Sequence, residues 1–150
     1  MTLRNQRSLA QTIALLFGIV FLGAGVLGFI PGITTNLRDI DFAGKDSPSE
    51  LLGIFQVSIL LNIVHLLFGI AGIALSRTWE GARTYLLGAG VLYLILFVYG
   101  LFVGAGDDAN FIPMNKADDW LHLVFAVALL GGWFITRRED EVGPAAAAAP

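Results

Sequence analysis

The sequence predicts an all-α protein, a four-helix transmembrane bundle with both ends on the same side of the membrane. Three observations carry that expectation. The chain is 56% hydrophobic against an ordinary share of about 45–50% for soluble domains. Charged residues fall to 14% where about 25% is usual, and the mean hydropathy is +0.75. Finally, four long apolar runs punctuate only 150 residues. In hydrocarbon a backbone must satisfy its own hydrogen bonds, so runs of roughly 17–25 apolar residues read as crossing helices.

The first run covers about residues 10–30, the second 51–76, the third 84–104 and the fourth 118–136. The uninterrupted apolar stretch from Ile13 to Ile30 exceeds the core of a usual signal peptide, about 7–15 residues, and no A-x-A site follows it. The first segment is therefore expected to be retained. Residues 1–138 read as one transmembrane domain and 139–150, with Pro144 and an alanine run, as a disordered tail.

Orientation follows from arginine and lysine in the short flanks. Arg4, Arg7, Arg77, Arg83, Arg137 and Arg138 fall on one side, and Arg38, Lys45 and Lys116 on the other. Both termini are accordingly expected in the cytoplasm of a bacterial plasma (inner) membrane. The net charge of −3, with no basic cluster, leaves no electrostatic footprint for nucleic acid. Without cysteine there are no disulfides, thiolate metal sites or thiol nucleophiles. No catalytic triad order, phosphate-cradling loop or metallohydrolase motif is found, so the expected answer on catalysis is no enzyme.

Two echoes suggest a repeat. Asn62-x-x-His65-Leu66 returns as Asp119-x-x-His122-Leu123, and Gly23-Ala24-Gly25-Val26-Leu27 as Gly88-Ala89-Gly90-Val91-Leu92. Two helices per unit would give a parallel pseudo-two-fold along the membrane normal.

Around these residues the chain resembles the four-helix bacterial membrane family called domain of unknown function 4383. The resemblance rests on Gly28-Phe29-Ile30-Pro31-Gly32, on Leu52-Gly53-Ile54-Phe55-Gln56-Val57 running to Asn62-Ile63-Val64-His65-Leu66-Leu67-Phe68-Gly69-Ile70-Ala71-Gly72, and on Pro113-Met114-Asn115-Lys116-Ala117-Asp118-Asp119-Trp120-Leu121-His122. Relatives of that pattern often carry Asn in place of Ser58 and His in place of Leu61. The departures weaken any role needing a third imidazole. What the resemblance implies is a fold and a location, with no activity.

Polar side chains at membrane depth usually face the bundle interior and have a partner. Asn62, His65, Asp119 and His122 form the expected intramembrane polar set, structural or ligand-binding. Ser58, Asn62, His65, Gly69, Gly72 and Ser76 recur every three or four residues and predict a packing seam on the second helix. Gly100 and Gly104 predict close approach in the third. The polar set has three readings: a hydrogen-bonded cluster registering helices two and four, a b-type haem held by His65 and His122, or a proton or small-solute path. By elimination, the leading expectation is a scaffold or accessory subunit in the lipid bilayer, bound to another membrane protein and holding no cofactor.

Three smaller expectations complete the reading. Asp39, Asp41, Gly44 and Glu50 sit at EF-hand spacing, but Ala43 replaces an oxygen ligand, so the loop reads as solvated and acidic. Asn115 is expected to cap the fourth helix, with Asp118 and Asp119 near its positive end. Trp79, Tyr85, Trp120 and Trp133 read as interfacial anchors, and Pro31-Gly32 as the end of the first helix.

Overall fold

Four helices follow one another in a computed structural model that describes residues 7–104 and 107–136: α1 (Leu9–Leu27), α2 (Ile59–Leu75), α3 (Trp79–Phe102) and α4 (Lys116–Ile135). Each begins at a polar side chain that accepts a backbone N–H otherwise left without a partner. Ser8 closes a reciprocal capping box with Gln11, and Asn115 does the same with Asp118. Ser58 caps α2 through Leu61 N–H, and Thr78 caps α3 through Gly81 N–H. The cap expected at Asn115 is thus present. The segment 139–150 lies outside the described residues.

Two expectations need correction. The described residues are mostly helical, in four helices as expected, but not helix alone: between α1 and α2 lies a small three-stranded antiparallel sheet in the order β1 (Thr34–Thr35), β2 (Glu50–Leu51), β3 (Phe55–Gln56). The second apolar run also does not become helix at residue 51; helix starts at Ile59. Hydropathy counts Leu51 to Val57 as membrane-compatible, but Leu52 and Gly53 take positive φ (57° and 68°) and turn the chain back on itself. Glycine adopts that region freely and leucine does so at a cost of roughly 1–2 kcal/mol. The first helix ends at Leu27, ahead of Pro31, and the third begins at Trp79, five residues before Thr84.

Three helices, α1, α3 and α4, are long and apolar enough to cross a membrane, and α2 is a shorter apolar helix of 17 residues. The helices form two hairpins, α1 against α2 and α3 against α4, with α1 and α3 joining them; α2 and α4 share little surface. Glycines set the distance within the first hairpin. A Cβ on Gly72 would lie 2.7 Å from Gly18 Cα, one on Gly69 would lie 2.6 Å from Leu22 Cα, and one on Gly25 would lie 2.8 Å from Leu66. The α2 seam therefore faces α1. Ser76, at its end, is buried and donates to the Ile73 carbonyl. In the third helix Gly100 packs against Asp119, whereas Gly104 lies beyond the helix end at Phe102, faces open space and makes no such approach.

Between the hairpins lies a core of Ala10, Ala14, Phe21, Ala82, Leu86, Ala89, Ala126 and Leu129. Tyr85 belongs to it too. It was expected at a helix end, but α3 starts six residues before it, so its ring is buried and its hydroxyl donates to the Phe68 carbonyl at 3.2 Å. Trp79 and Trp133 do lie at helix ends, each ring 5.0 Å from the Arg83 guanidinium. Arg83 also donates to the Trp133 carbonyl and to Thr136 Oγ1. A cation there satisfies carbonyls at the negative end of α4.

Candidate functional site

A chamber of about 220 Å³ opens where the loop-side halves of the helices meet the sheet. Its helical wall is built on aromatic rings. Phe21 of α1 and Tyr93 of α3 stack face to face, 5.2 Å apart and 4° from parallel. Phe68 meets Phe21 edge-on at 6.3 Å, and Phe125 meets Tyr93 edge-on at 5.4 Å. His65 lies beside Phe21 at 6.1 Å and His122 beside Tyr93 at 5.4 Å. Such ring pairs add directional preference to apolar burial and fix each imidazole against its own partner. Both histidines line the chamber and are near enough to interact electrostatically.

The β2–β3 segment roofs the chamber, with Pro113 and Met114 beside it. Four hydrogen bonds hold the roof down. Gln56 N–H donates to Asp118 Oδ2 at 3.1 Å, and the Gln56 amide donates to the Lys45 and Ser47 carbonyls. Asn115 Nδ2 donates to the Ile54 carbonyl at 2.7 Å. Asp118 also accepts from Asn115 N–H, so one carboxylate caps α4 and fastens the sheet to it. Outside the roof, Lys45 pairs with Asp108, joining the two connecting loops. The pair holds the Asp108 carboxyl below its usual range and the Lys45 amine above its own.

The family model described as Domain of unknown function (DUF4383) matches residues 11–135. The chain belongs to that family. No curated protein and no solved structure matches it. Membership in DUF4383 confirms the resemblance read from the sequence and carries no activity with it, so the chemistry has to be read from the side chains.

The four expected polar residues of this DUF4383 protein do not form one cluster. Asn62 is fully buried on the α1 side, where Nδ2 donates to the Gly28 carbonyl at 2.9 Å; Oδ1 has no partner. That bond satisfies a carbonyl just past the end of α1 and contributes nothing to α4. Asp119 packs against Gly100 of α3 and accepts from Lys116 at 3.2 Å. Only His65 and His122 share the chamber, joined there by Asp118, which the sequence identified only as part of a helix terminus.

Neither imidazole is satisfied within the protein. Nδ1 of each is shielded from solvent and makes no hydrogen bond of normal geometry, although the Leu61 carbonyl lies near the His65 ring. An unsatisfied buried polar atom costs about 1–3 kcal/mol. Two of them bordering one chamber call for a reason. A haem is a poor one: an apolar cavity of about 150 Å³ takes benzene and drug-sized pockets begin near 300 Å³, so 220 Å³ suits one ring and not a macrocycle. Nor do three potential ligands gather around a metal among the described residues. The EF-hand-like spacing is taken apart by the fold, with Asp39 in a 3-10 turn, the Asp41 carbonyl accepting from Ile59 N–H and Glu50 in β2.

Sequence reading missed Phe21, Tyr93 and the sheet roof as parts of the site. Aromatic residues in apolar helices are ordinary core material, and nothing in their spacing tells which helix each one faces.

Proposed function

We propose that the chain is an integral membrane protein crossing a bacterial plasma membrane four times, with both termini cytoplasmic, and that it works there as a small non-catalytic accessory subunit. The observation that carries the location is the division of side chains: Leu16, Leu67, Ile95 and Val127 point outward in mid-helix, while Asn62 and His122 are buried. In water that arrangement would leave apolar patches of many residues exposed; in lipid it is the expected one. At about 1.5 Å per residue the helices are roughly 26–36 Å long, against a hydrocarbon core of about 30 Å. The orientation is supported by Arg7, Arg77 and Arg83 at one end, opposite the acidic sheet end.

The two hairpins read as a repeat, in a register other than the one the glycine echo suggests. Ser58 and Asn115 as caps, Asn62 and Asp119, His65 and His122, and Phe68 and Phe125 are paired at an offset of 57 residues. Gly28 and Gly100, like Phe21 and Tyr93, are paired at an offset of 72. The echo at 65 joins unlike contacts, since Gly25 faces Leu66 and Gly90 faces Leu130. On this reading the first hairpin carries 15 extra connecting residues, which hold the sheet. The axis of the repeat then passes between the stacked Phe21 and Tyr93.

The accessory role is supported by an exposed stripe of Ile63, Leu67 and Ile70 on α2, at the four- and three-residue spacing with which one membrane helix meets another. Cross-linking in intact membranes followed by purification in mild detergent should recover one membrane protein in stoichiometric amount, and Leu67→Trp should reduce the yield severalfold. Recovery of the chain alone, or of a partner indifferent to Leu67→Trp, would contradict it. The proton- or solute-path alternative has less support, because fully buried Ala14, Leu86, Ala89 and Leu129 fill the bundle core.

A further inference from the structure

We propose that the chamber between His65 and His122 is a binding site for a small neutral molecule of about one ring, mainly apolar and carrying a hydroxyl or carbonyl, of the phenol class. Size comes first: at about 220 Å³ the chamber exceeds the space that takes benzene and falls short of a drug-sized pocket. Its lining is overwhelmingly aliphatic and aromatic, which favours a flat ring against the Phe21–Tyr93 stack.

Polarity comes second. Asp118 Oδ2 already accepts from two backbone N–H groups, and Asp119 Oδ2 from Lys116. The histidines differ: both border the chamber and neither Nδ1 makes a hydrogen bond of normal geometry. A neutral imidazole offers one donor and one acceptor, and a hydroxyl both donates and accepts, so the two groups match in either tautomer. An anion brought into this apolar lining would have no counter-charge facing it, and the carboxylate that a cation would need, Asp118, already holds two backbone N–H groups, so a neutral ligand fits best.

Access comes third. Val20 and Leu52 line the chamber and are also 49% and 61% exposed on the apolar outer surface, so its lip lies beside α1 and the β2–β3 turn. Leu52 holds φ at 57°, a conformation that leucine rarely adopts and that recurs at ligand clamps. If the chain is embedded in a bilayer as proposed above, that lip admits a lipid-soluble molecule sideways; the binding itself does not depend on orientation or on a partner protein.

The chain has two histidines, so 15N-histidine-labelled protein in lipid nanodiscs has two sets of imidazole resonances. Titration with phenol should shift both sets saturably, with an affinity about tenfold above that of toluene, the value of one additional hydrogen bond. Ala24→Leu or Leu121→Phe, either of which fills the chamber, should abolish the saturable shift. His65→Phe and His122→Phe should each lower phenol affinity severalfold while leaving toluene binding nearly unchanged. A shift that grows linearly without saturating, or filled variants that bind like the wild type, would overturn the proposal. Preference for phenol over toluene surviving in the double phenylalanine variant, measured by titration calorimetry because no histidine remains to label, would overturn it as well. Each of these results stands whether or not a partner protein is found.

Discussion

The two hairpins solve one packing problem with different chemistry. In each, a glycine near the loop end of one helix lies against a polar side chain on the next, Gly28 against Asn62 and Gly100 against Asp119. In the first hairpin that side chain is an amide, fully buried, and it satisfies the Gly28 carbonyl. In the second it is a carboxylate, one turn inside the start of α4, reached by the largely exposed Lys116. The difference shows what decides the residue type. The nearest charged side chain along the sequence from Asn62 is Glu50, twelve positions before it, with uncharged sheet and cap between, so a neutral group is used; Asp119 sits at a positive helix end with an ammonium beside it, so a charge is tolerated.

Substitution at the glycines should break this parallel most severely. Gly28→Val and Gly100→Val each drive side-chain carbons into Asn62 or Asp119, and overpacking of this kind costs about 1–3 kcal/mol or more. Both variants should unfold at clearly lower temperature in detergent; an unchanged melting curve would mean the helices are further apart. Gly104→Val, two residues past the end of the same helix with open space around it, is the control and should differ little. Next comes the polar pair itself. Asn62→Leu should destabilise by about 1–3 kcal/mol by stranding the Gly28 carbonyl. Asp119→Asn should cost under about 1 kcal/mol, because its ion pair is mostly exposed on the lysine side. Equal losses would remove the distinction between the hairpins.

A smaller effect is expected at the roof. Asp118→Ala removes the capping partner of Asn115 and the acceptor for Gln56 N–H, worth about 0.5–2 kcal/mol. Amide exchange at Gln56 should accelerate with little change elsewhere; acceleration spread evenly over all helices would contradict a local strap.

The smallest effect is the pH dependence of the Lys45–Asp108 pair. Asp108 is held below its ordinary 3.8, so its contribution is present above that value and lost as pH falls through the lowered one. Lys45 is held above 10.5, so its contribution is complete below that value and lost as pH rises through the raised one. Protection of the Gly44 amide, which donates to the Phe111 carbonyl nearby, taken relative to the intrinsic exchange rate at each pH, should therefore be greatest across the middle of the range and fall in strong acid and strong base. A flat profile would separate the two loops.

Much of the fold was legible in the chain. Apolar runs located all four helices, and Asn115 with Asp118 announced the start of the last. Where the reading failed, the cause was physical. Leu51 to Val57 are as oily as a helix, and only the backbone at Leu52 and Gly53 diverts them into strands two residues long, too short for any alternation to register. The α2 seam was recognised as a seam, yet a single stripe cannot say which neighbour it meets, and it meets α1. The histidines stood out in the sequence as the only two in the chain, and both line the chamber. Their separation from Asn62 and Asp119 into a chamber follows from α2 and α4 standing apart, which is a property of the assembled bundle.

The most direct test of the membrane-embedded bundle uses a chain that contains no native cysteine. Single cysteines at Asp46, Glu80 and Val127 would be exposed to an impermeant maleimide in intact cells and again after permeabilisation. The account predicts that Asp46→Cys reacts from outside, Glu80→Cys only after permeabilisation, and Val127→Cys, outward-facing in mid-helix, under neither condition. Reaction of Asp46→Cys and Glu80→Cys from the same side, or ready aqueous labelling of Val127→Cys, would contradict it.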